Sequence, residues 1–184
     1  MAKTKTLGPG DIRAALDRLA TAISARHKPS EKLLLLGIAN GGIELVRRLA
    51  LSLSPDSPPR TGTVDISFHR DDIGRHPIPK EFAPTHIPTD VNGATVILVD
   101  DVLFSGRTAK AALDELFDHG RPASVELAVL IDRGGRRLPI AADYAGLILA
   151  PGANEKIVVH LDRADPKKDA IRIETAAPKQ NAAL

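Results

Sequence analysis

Three short apolar runs, each stopped by a small or charged turn, organise this chain. Leu33 to Ile38, Ala94 to Val99 and Ser124 to Ile131 have the length and composition of strands buried on both faces of a parallel sheet. They end in Ala39-Asn40-Gly41-Gly42, in Asp100-Asp101 and in Asp132-Arg133-Gly134-Gly135. Helical spacing takes over after the first two. Ile43, Val46 and Leu49 follow the glycine turn, and Thr108 to Leu113 opens a helix expected to stop near His119-Gly120, with Arg121-Pro122 beyond. Upstream, Gly8-Pro9-Gly10 is a turn, Asp11 a good N-cap, and Ile12, Ala15, Leu16, Leu19 and Ile23 recur with helical period. Thr61 to Ser67 alternates as a half-buried strand, and shorter strands are expected near Tyr144–Leu149, Ile157–Leu161 and Ala170–Ile173.

Strands alternating with helices predict an α/β fold, a mostly parallel sheet flanked by helices on both faces. The three sharpest loops all leave strand ends, so they can converge on one crevice. Phe68 to Gly93 carries four prolines and little periodicity. A stretch that long inside a compact domain reads as a functional lid, ordered around ligand and open without it. From about Ala176 to Leu184 the chain reads as a frayed tail, and residues 1–184 as one domain.

Composition narrows the chemistry. The absence of cysteine excludes disulfides and thiolate metal sites. No apolar run approaches the roughly 20 residues of a membrane span, and the first residues lack a signal-peptide core, so a soluble cytoplasmic protein is expected. A net charge of +2 and a single tyrosine do not announce a nucleic-acid binder. Arg47-Arg48 and Arg133, Arg136 and Arg137 are the basic clusters, of a kind more often solvated than bound to RNA. The six histidines show no ligand spacing and read mostly as exposed loop residues.

The chemistry concentrates after the second apolar run. Asp100 and Asp101 fall at the end of that strand, and open α/β sheets bind ligands outside the carboxyl ends of their strands. Ser105-Gly106-Arg107-Thr108 then opens a helix, where backbone N–H groups make an anion site. Carboxylates suit hydroxyls and hydrated Mg²⁺, and the turn suits a phosphate, which together describe a sugar phosphate lying across the strand end. The turn Ala39 to Gly42 can bring backbone N–H groups close to a diphosphate.

Four apolar residues, two acidic residues and a Ser/Thr-Gly turn resemble the signature of the type I phosphoribosyltransferases. Val64 to Asp72, Val96 to Thr108, Glu115 to Ser124 and Arg137 to Tyr144 further resemble, in order, the pyrimidine operon regulator/uracil phosphoribosyltransferase family, over about residues 10 to 162. That resemblance implies transfer of phosphoribosyl from 5-phosphoribosyl 1-diphosphate (PRPP) to uracil, giving UMP and pyrophosphate, with Mg²⁺ as cofactor. It also implies a dimer or tetramer and, in some bacteria, binding of pyrimidine-operon mRNA. By the same resemblance Asp100 and Asp101 grip the ribose hydroxyls and the metal shell, with Asp132 a further metal contact. Ser105, Gly106, Arg107 and Thr108 hold the 5-phosphate. Ala39, Asn40, Gly41 and Gly42 receive the leaving diphosphate, with a cis peptide at Ala39–Asn40, and Arg70 and Arg75 in the lid help neutralise it.

The chain departs from the family in two places. Gly134-Gly135 stands where many members have Gly-His, and Gly146 to Gly152 replaces a more polar segment near the expected base pocket. Two other readings therefore stay open: a nucleotide-sensing RNA-binding regulator with little catalysis, and a purine phosphoribosyltransferase, whose glycine turns are similar.

Overall fold

The computed structural model describes residues 5–27, 32–69 and 84–175. Arg70, Arg75 and most of the expected lid, and the tail from Ala176, lie outside the described residues. The elements in chain order are β1 (Lys5–Leu7), α1 (Pro9–Arg26), β2 (Leu33–Ile38), α2 (Gly41–Leu53), β3 (Arg60–Val64), β4 (Thr95–Leu103), α3 (Arg107–Asp118), β5 (Ser124–Asp132), β6 (Tyr144–Ile148), β7 (Glu155–His160) and β8 (Ala170–Thr175). A short 3-10 turn, Pro166–Lys168, precedes β8. The strands β3-β2-β4-β5-β6 form one sheet, parallel throughout. A second sheet, β1-β8-β7, is antiparallel.

Side-chain alternation decides what covers each face. Leu33, Leu35, Ile97, Val99, Ala128 and Leu130 point into a core shared with Ile12, Leu16 and Leu19 of α1 and Leu45 and Leu49 of α2. Their neighbours Leu34, Leu36, Val96, Leu98, Leu127 and Val129 point into the opposite core, with Ala109, Ala112 and Leu116 of α3. Both faces of the strands are therefore dry, which is why their sequences are apolar at every position rather than at every second one. From β2 the chain crosses to β3 through α2, and from β4 it crosses the other way to β5 through α3. The crevice between β2 and β4 is the place where the winding reverses, and ligands bind at such points.

Three sequence expectations need correction. The first helix begins at Pro9, with Gly8 as its cap. Asp11 lies inside the first turn, where its carboxylate accepts the Gly8 N–H at 2.9 Å. Proline at the first helical position starts the helix early because its fixed φ suits that place and its missing N–H costs nothing there. Second, β4 does not end at Val99. Its pairing with β5 continues through Val102 with Ile131 and Leu103 with Asp132, whereas β2 pairs only as far as Gly37 with Val99. Asp100 and Asp101 thus sit within a strand that has lost its neighbour on one side. Third, the short strands expected near Ile157–Leu161 and Ala170–Ile173 are present but form, with β1, an antiparallel sheet apart from the parallel one. Its Ile157 and Ile171 join the core under α1 and α2.

Arg48 ties that sheet to the rest of the molecule. Its guanidinium, 10% exposed, donates to Glu44 Oε1 at 2.6 Å, to the Asp162 carbonyl at 2.5 Å and to the Asp169 carboxylate. It is not the solvated surface arginine expected from the sequence. Burial pushes the Glu44 carboxyl up, but hydrogen bonds from Arg47 and Arg48 outweigh it and hold the group below its ordinary range. Removing one partner of a buried pair strands the other. Arg48→Ala is therefore expected to cost about 3 kcal/mol in urea unfolding, and Arg47→Ala, 53% exposed, less than about 1 kcal/mol. Stability from Glu44 is present above its unfolded pKa of about 4.3 and fades as pH falls below it, so the Arg48 variant should lose less on acidification than the parent.

Candidate active site at the open end of the sheet

The β2–α2 turn lies almost against β4. A Cβ on Gly42 would fall 2.1 Å from the Val99 carbonyl oxygen, and one on Gly37 would fall 2.6 Å from the Gly42 carbonyl. A Cβ on Gly41 would meet the Asp101 carboxylate at 2.5 to 2.7 Å. Backbone blocks a side chain at Gly37 and Gly42, and one at Gly41 would have to displace the Asp101 carboxylate. The peptide between Ala39 and Asn40 is cis, and the Ala39 N–H donates to the Val64 carbonyl at 2.9 Å, which holds the turn to the end of β3 as well. α2 starts at Gly41, so the N-terminus of a helix opens directly beside Asp101.

Asp100 is buried and Asp101 partly so, on adjacent positions of β4. The Asp101 N–H donates to Asp100 Oδ1 at 2.9 Å. Burial and the neighbouring Asp101 charge push the Asp100 carboxyl well above the ordinary range, and burial raises Asp101 too. Two buried acids side by side are costly to ionise together, and a hard cation or hydroxyl donors would relieve both.

The second turn follows within four residues. Gly106 caps α3 in the left-handed region, φ 89°, and Ser105 Oγ accepts the Arg107 N–H at 3.3 Å. The segment after β5 supports it from outside: Arg137 and Leu138 donate backbone N–H groups to the Ser105 carbonyl at 2.9 and 3.1 Å. Arg136 does more. Its guanidinium donates to the carbonyls of Leu103, Phe104 and Ile140 and, at 2.5 Å, to Asp132. The sequence grouped it with Arg133 and Arg137 as a basic surface cluster, but it faces inward and braces the strand-to-turn junction. Arg133 stacks on the Phe104 ring, 4.0 Å from its centroid, and leaves only Arg137 of the three exposed.

Ala39, Asn40, Gly41, Gly42, Asp100, Asp101, Ser105, Gly106, Arg107 and Thr108 therefore gather at one end of the sheet. Asp132 does not join the acid pair. It lies opposite Leu103, two to three residues beyond Asp100 and Asp101, a rise on the order of 7–10 Å. Its two oxygens accept from Gly134 N–H at 2.9 Å and from Arg136. Arg70 lies outside the described residues. Gly135, one of the family departures, has φ 76°, and a Cβ there would be 2.6 Å from the Phe104 ring, so this chain fills that space with Phe104. Gly146, from the other departure, lets α1 close on β6: a Cβ would meet the Leu130 carbonyl at 2.9 Å and Ala15 at 3.1 Å. The sequence missed Arg136. Its only signal was an arginine four residues after Asp132.

Residues 10–166 match the phosphoribosyl transferase domain family. The chain is similar to a "Bifunctional protein PyrR" of Roseiflexus sp., 44% identical over 176 residues that cover 94% of this chain and 96% of that one. A "Bifunctional protein PyrR" of Streptomyces coelicolor is 48% identical over 161 residues, 86% of this chain and 82% of that one. Among solved structures, the hypoxanthine phosphoribosyltransferase of Trypanosoma cruzi superposes with a TM-score of 0.67 at 20% identity, covering 91% of this chain and 94% of that one. At that identity the likeness concerns the fold alone.

Two variants test the geometry. Asp100 has its folded pKa raised above the unfolded value of about 3.9. The folded state then holds more protons between the two values, and stability falls as pH rises through that window. Asp100→Asn should accordingly raise the melting temperature at neutral pH and flatten its dependence on pH above 4. Gly106→Val forces a branched residue to positive φ, with Leu138 and Ile140 both 3.3 Å from its Cβ, and should lower stability by about 1–3 kcal/mol and weaken binding of inorganic phosphate or UMP in calorimetry.

Proposed function

Since the chain belongs to the phosphoribosyl transferase family and, within it, to the bifunctional PyrR group, we propose that it transfers phosphoribosyl from PRPP to uracil, forming UMP and pyrophosphate, and takes part in regulating pyrimidine genes. The observation that carries the chemistry is the packing of the Gly41 backbone on the Asp101 carboxylate. It puts a turn suited to a diphosphate and an acid pair suited to a ribose in one crevice, with a phosphate turn at the start of the next helix.

In this reading the backbone at Ser105 to Thr108 fixes the 5-phosphate at the N-terminus of α3. Asp100 and Asp101 accept the ribose hydroxyls and hold negative charge beside the ring as positive charge develops at the anomeric carbon. The turn from Ala39 to Gly42 receives the departing diphosphate. Asp100 and Asp101 also fit Mg²⁺, because they are neighbouring oxygen donors whose carboxyl pKa values burial raises, a cost that a hard cation would offset. Mg²⁺ bound with PRPP supplies neutralisation of the leaving diphosphate. Arg70 and Arg75, in the segment after Phe68, would add cationic charge there and help exclude water. No covalent nucleophile is required, in keeping with a chain that has no cysteine.

Uracil is favoured over purines by the segments around the signature, since the fold shared with purine enzymes does not select the base. With PRPP and Mg²⁺ the protein should form UMP from uracil and no nucleotide from guanine or hypoxanthine. Turnover of purines alone would overturn the uracil assignment. The double variant Asp100→Asn, Asp101→Asn should remain folded and lose Mg²⁺-dependent PRPP binding by calorimetry, and unchanged affinity would remove the acid pair from the site. A regulatory role predicts affinity for pyrimidine-operon mRNA that falls as salt rises. The same reading takes the protein as a dimer or tetramer, which sedimentation tests.

A further inference from the structure

The far end of α3 carries a cluster that the chemistry above does not use. Glu115, Asp118 and His119 are spaced i, i+3 and i+4, so they share one face of the last turn. The loop after β3 lays His69 across that face, with its Nε2 3.0 Å from Glu115 Oε2 and 3.4 Å from Asp118 Oδ2. The three ligating atoms lie within 4.8 Å of one another. The other Glu115 oxygen is already held: Thr85 Oγ1 donates to Oε1 at 2.6 Å, and His119 Nε2 lies 3.2 Å from it. Thr85 is fixed in turn, its hydroxyl oxygen accepting the Asp65 N–H at 2.9 Å. One carboxylate oxygen is thus clamped by two partners while the other faces an imidazole nitrogen and a second carboxylate.

The two separations from the imidazole nitrogen, 3.0 and 3.4 Å, are near those between ligands of one ion. Four ligands at about 2.0–2.1 Å from a tetrahedral Zn²⁺ stand about 3.3–3.4 Å from one another. His69 and Glu115 are 24% and 15% exposed, whereas Asp118, at 70%, has the freedom to adjust. A mixed imidazole and carboxylate set suits a first-row transition ion better than Mg²⁺, which prefers oxygen alone. Partners that orient a ligand from behind, as Thr85 and His119 do, are the usual support of such ions. The carbonyl end of α3 adds negative potential.

We propose that His69, Glu115 and Asp118 form a binding site for a divalent transition ion of the Zn²⁺ class, with water completing the shell and Thr85 and His119 orienting Glu115. The site is separate from the acid pair. Glu115 lies eight residues along α3 from Arg107, about 12 Å at the helical rise.

Titration of the whole protein with Zn²⁺ by calorimetry, and with Co²⁺ by visible absorption, tests this without PRPP. One equivalent of Zn²⁺ should bind to the parent and, equally well, to the Asp100→Asn, Asp101→Asn variant. His69→Gln and Glu115→Gln should each weaken binding at least 30-fold and abolish the Co²⁺ bands. Thr85→Val should weaken it about 10-fold, in the range found for groups that support a ligand. Asp118→Asn changes an exposed helical position and should fold normally, so a fall of at least 10-fold there keeps the test decisive even if another variant is unstable. Unchanged affinity in both His69→Gln and Asp118→Asn overturns the proposal. So does weak binding of several equivalents, the mark of scattered surface histidines, or loss of the ion in the acid-pair variant.

Discussion

The open end of the sheet depends on how closely one turn can approach one strand. Gly42 leaves no room for a methyl group against the Val99 carbonyl, and one at Gly41 would push the Asp101 carboxylate aside, so the backbone of the turn itself borders the acid pair. Backbone donors are short and fixed, and they bring the positive end of α2 to the same place. Because the turn peels β2 away from β4 after the Gly37–Val99 pair, β4 runs on with β5 alone. That departure leaves the edge of β4 open where Asp100 and Asp101 sit. One steric condition therefore sets the crevice, its donors and its acids together.

Arginines turned inward keep the loops of this crevice in place. Arg136 donates to the carbonyls of Leu103 and Phe104, just before the Ser105–Thr108 turn, and pairs with Asp132 at the end of β5. Arg48 performs a similar service between α2 and the antiparallel sheet. Planar guanidinium groups suit such work because they donate in several directions at once and stay charged when partly buried. The buried Glu126 is satisfied in the same spirit, accepting the Tyr144 hydroxyl at 2.6 Å with His27 at 2.7 Å.

The parallel sheet was legible because its central strands are apolar at successive positions and end in turns of small or acidic residues. The placing of Asp100-Asp101 and of the Ser105–Thr108 turn at the open end of the sheet was legible for the same reason, since they follow one of those strands in sequence. The antiparallel sheet was not. β1 has three residues, and its partner β8 lies at the far end of the chain, so the pairing of Leu7 with Ile171 has no local signature. Arginines that fold inward look, in sequence, like arginines that face water. The same limit applies to His69. Its partners Glu115 and Asp118 are some fifty residues away, and only the spacing of Glu115, Asp118 and His119 on one helix offered a local hint.

A single helix, α3, joins two opposite electrostatic tasks. Its N-terminus, capped by Gly106, exposes N–H groups where a phosphate is expected, and no acidic residue in its first turn competes for them. Its last turn carries Glu115, Asp118 and His119 and no lysine or arginine. Cations are the usual complement of a helix C-terminus, yet here the chain places carboxylates there, against the sense of the dipole. Those carboxylates are tolerable because Thr85 and the histidines donate to them: despite burial, hydrogen bonds from Thr85 and His119 hold Glu115 below its ordinary pKa. A divalent ion would compensate the same charges more completely, so the sequence of the last turn and the position of His69 favour a cation where the helix alone would already attract one.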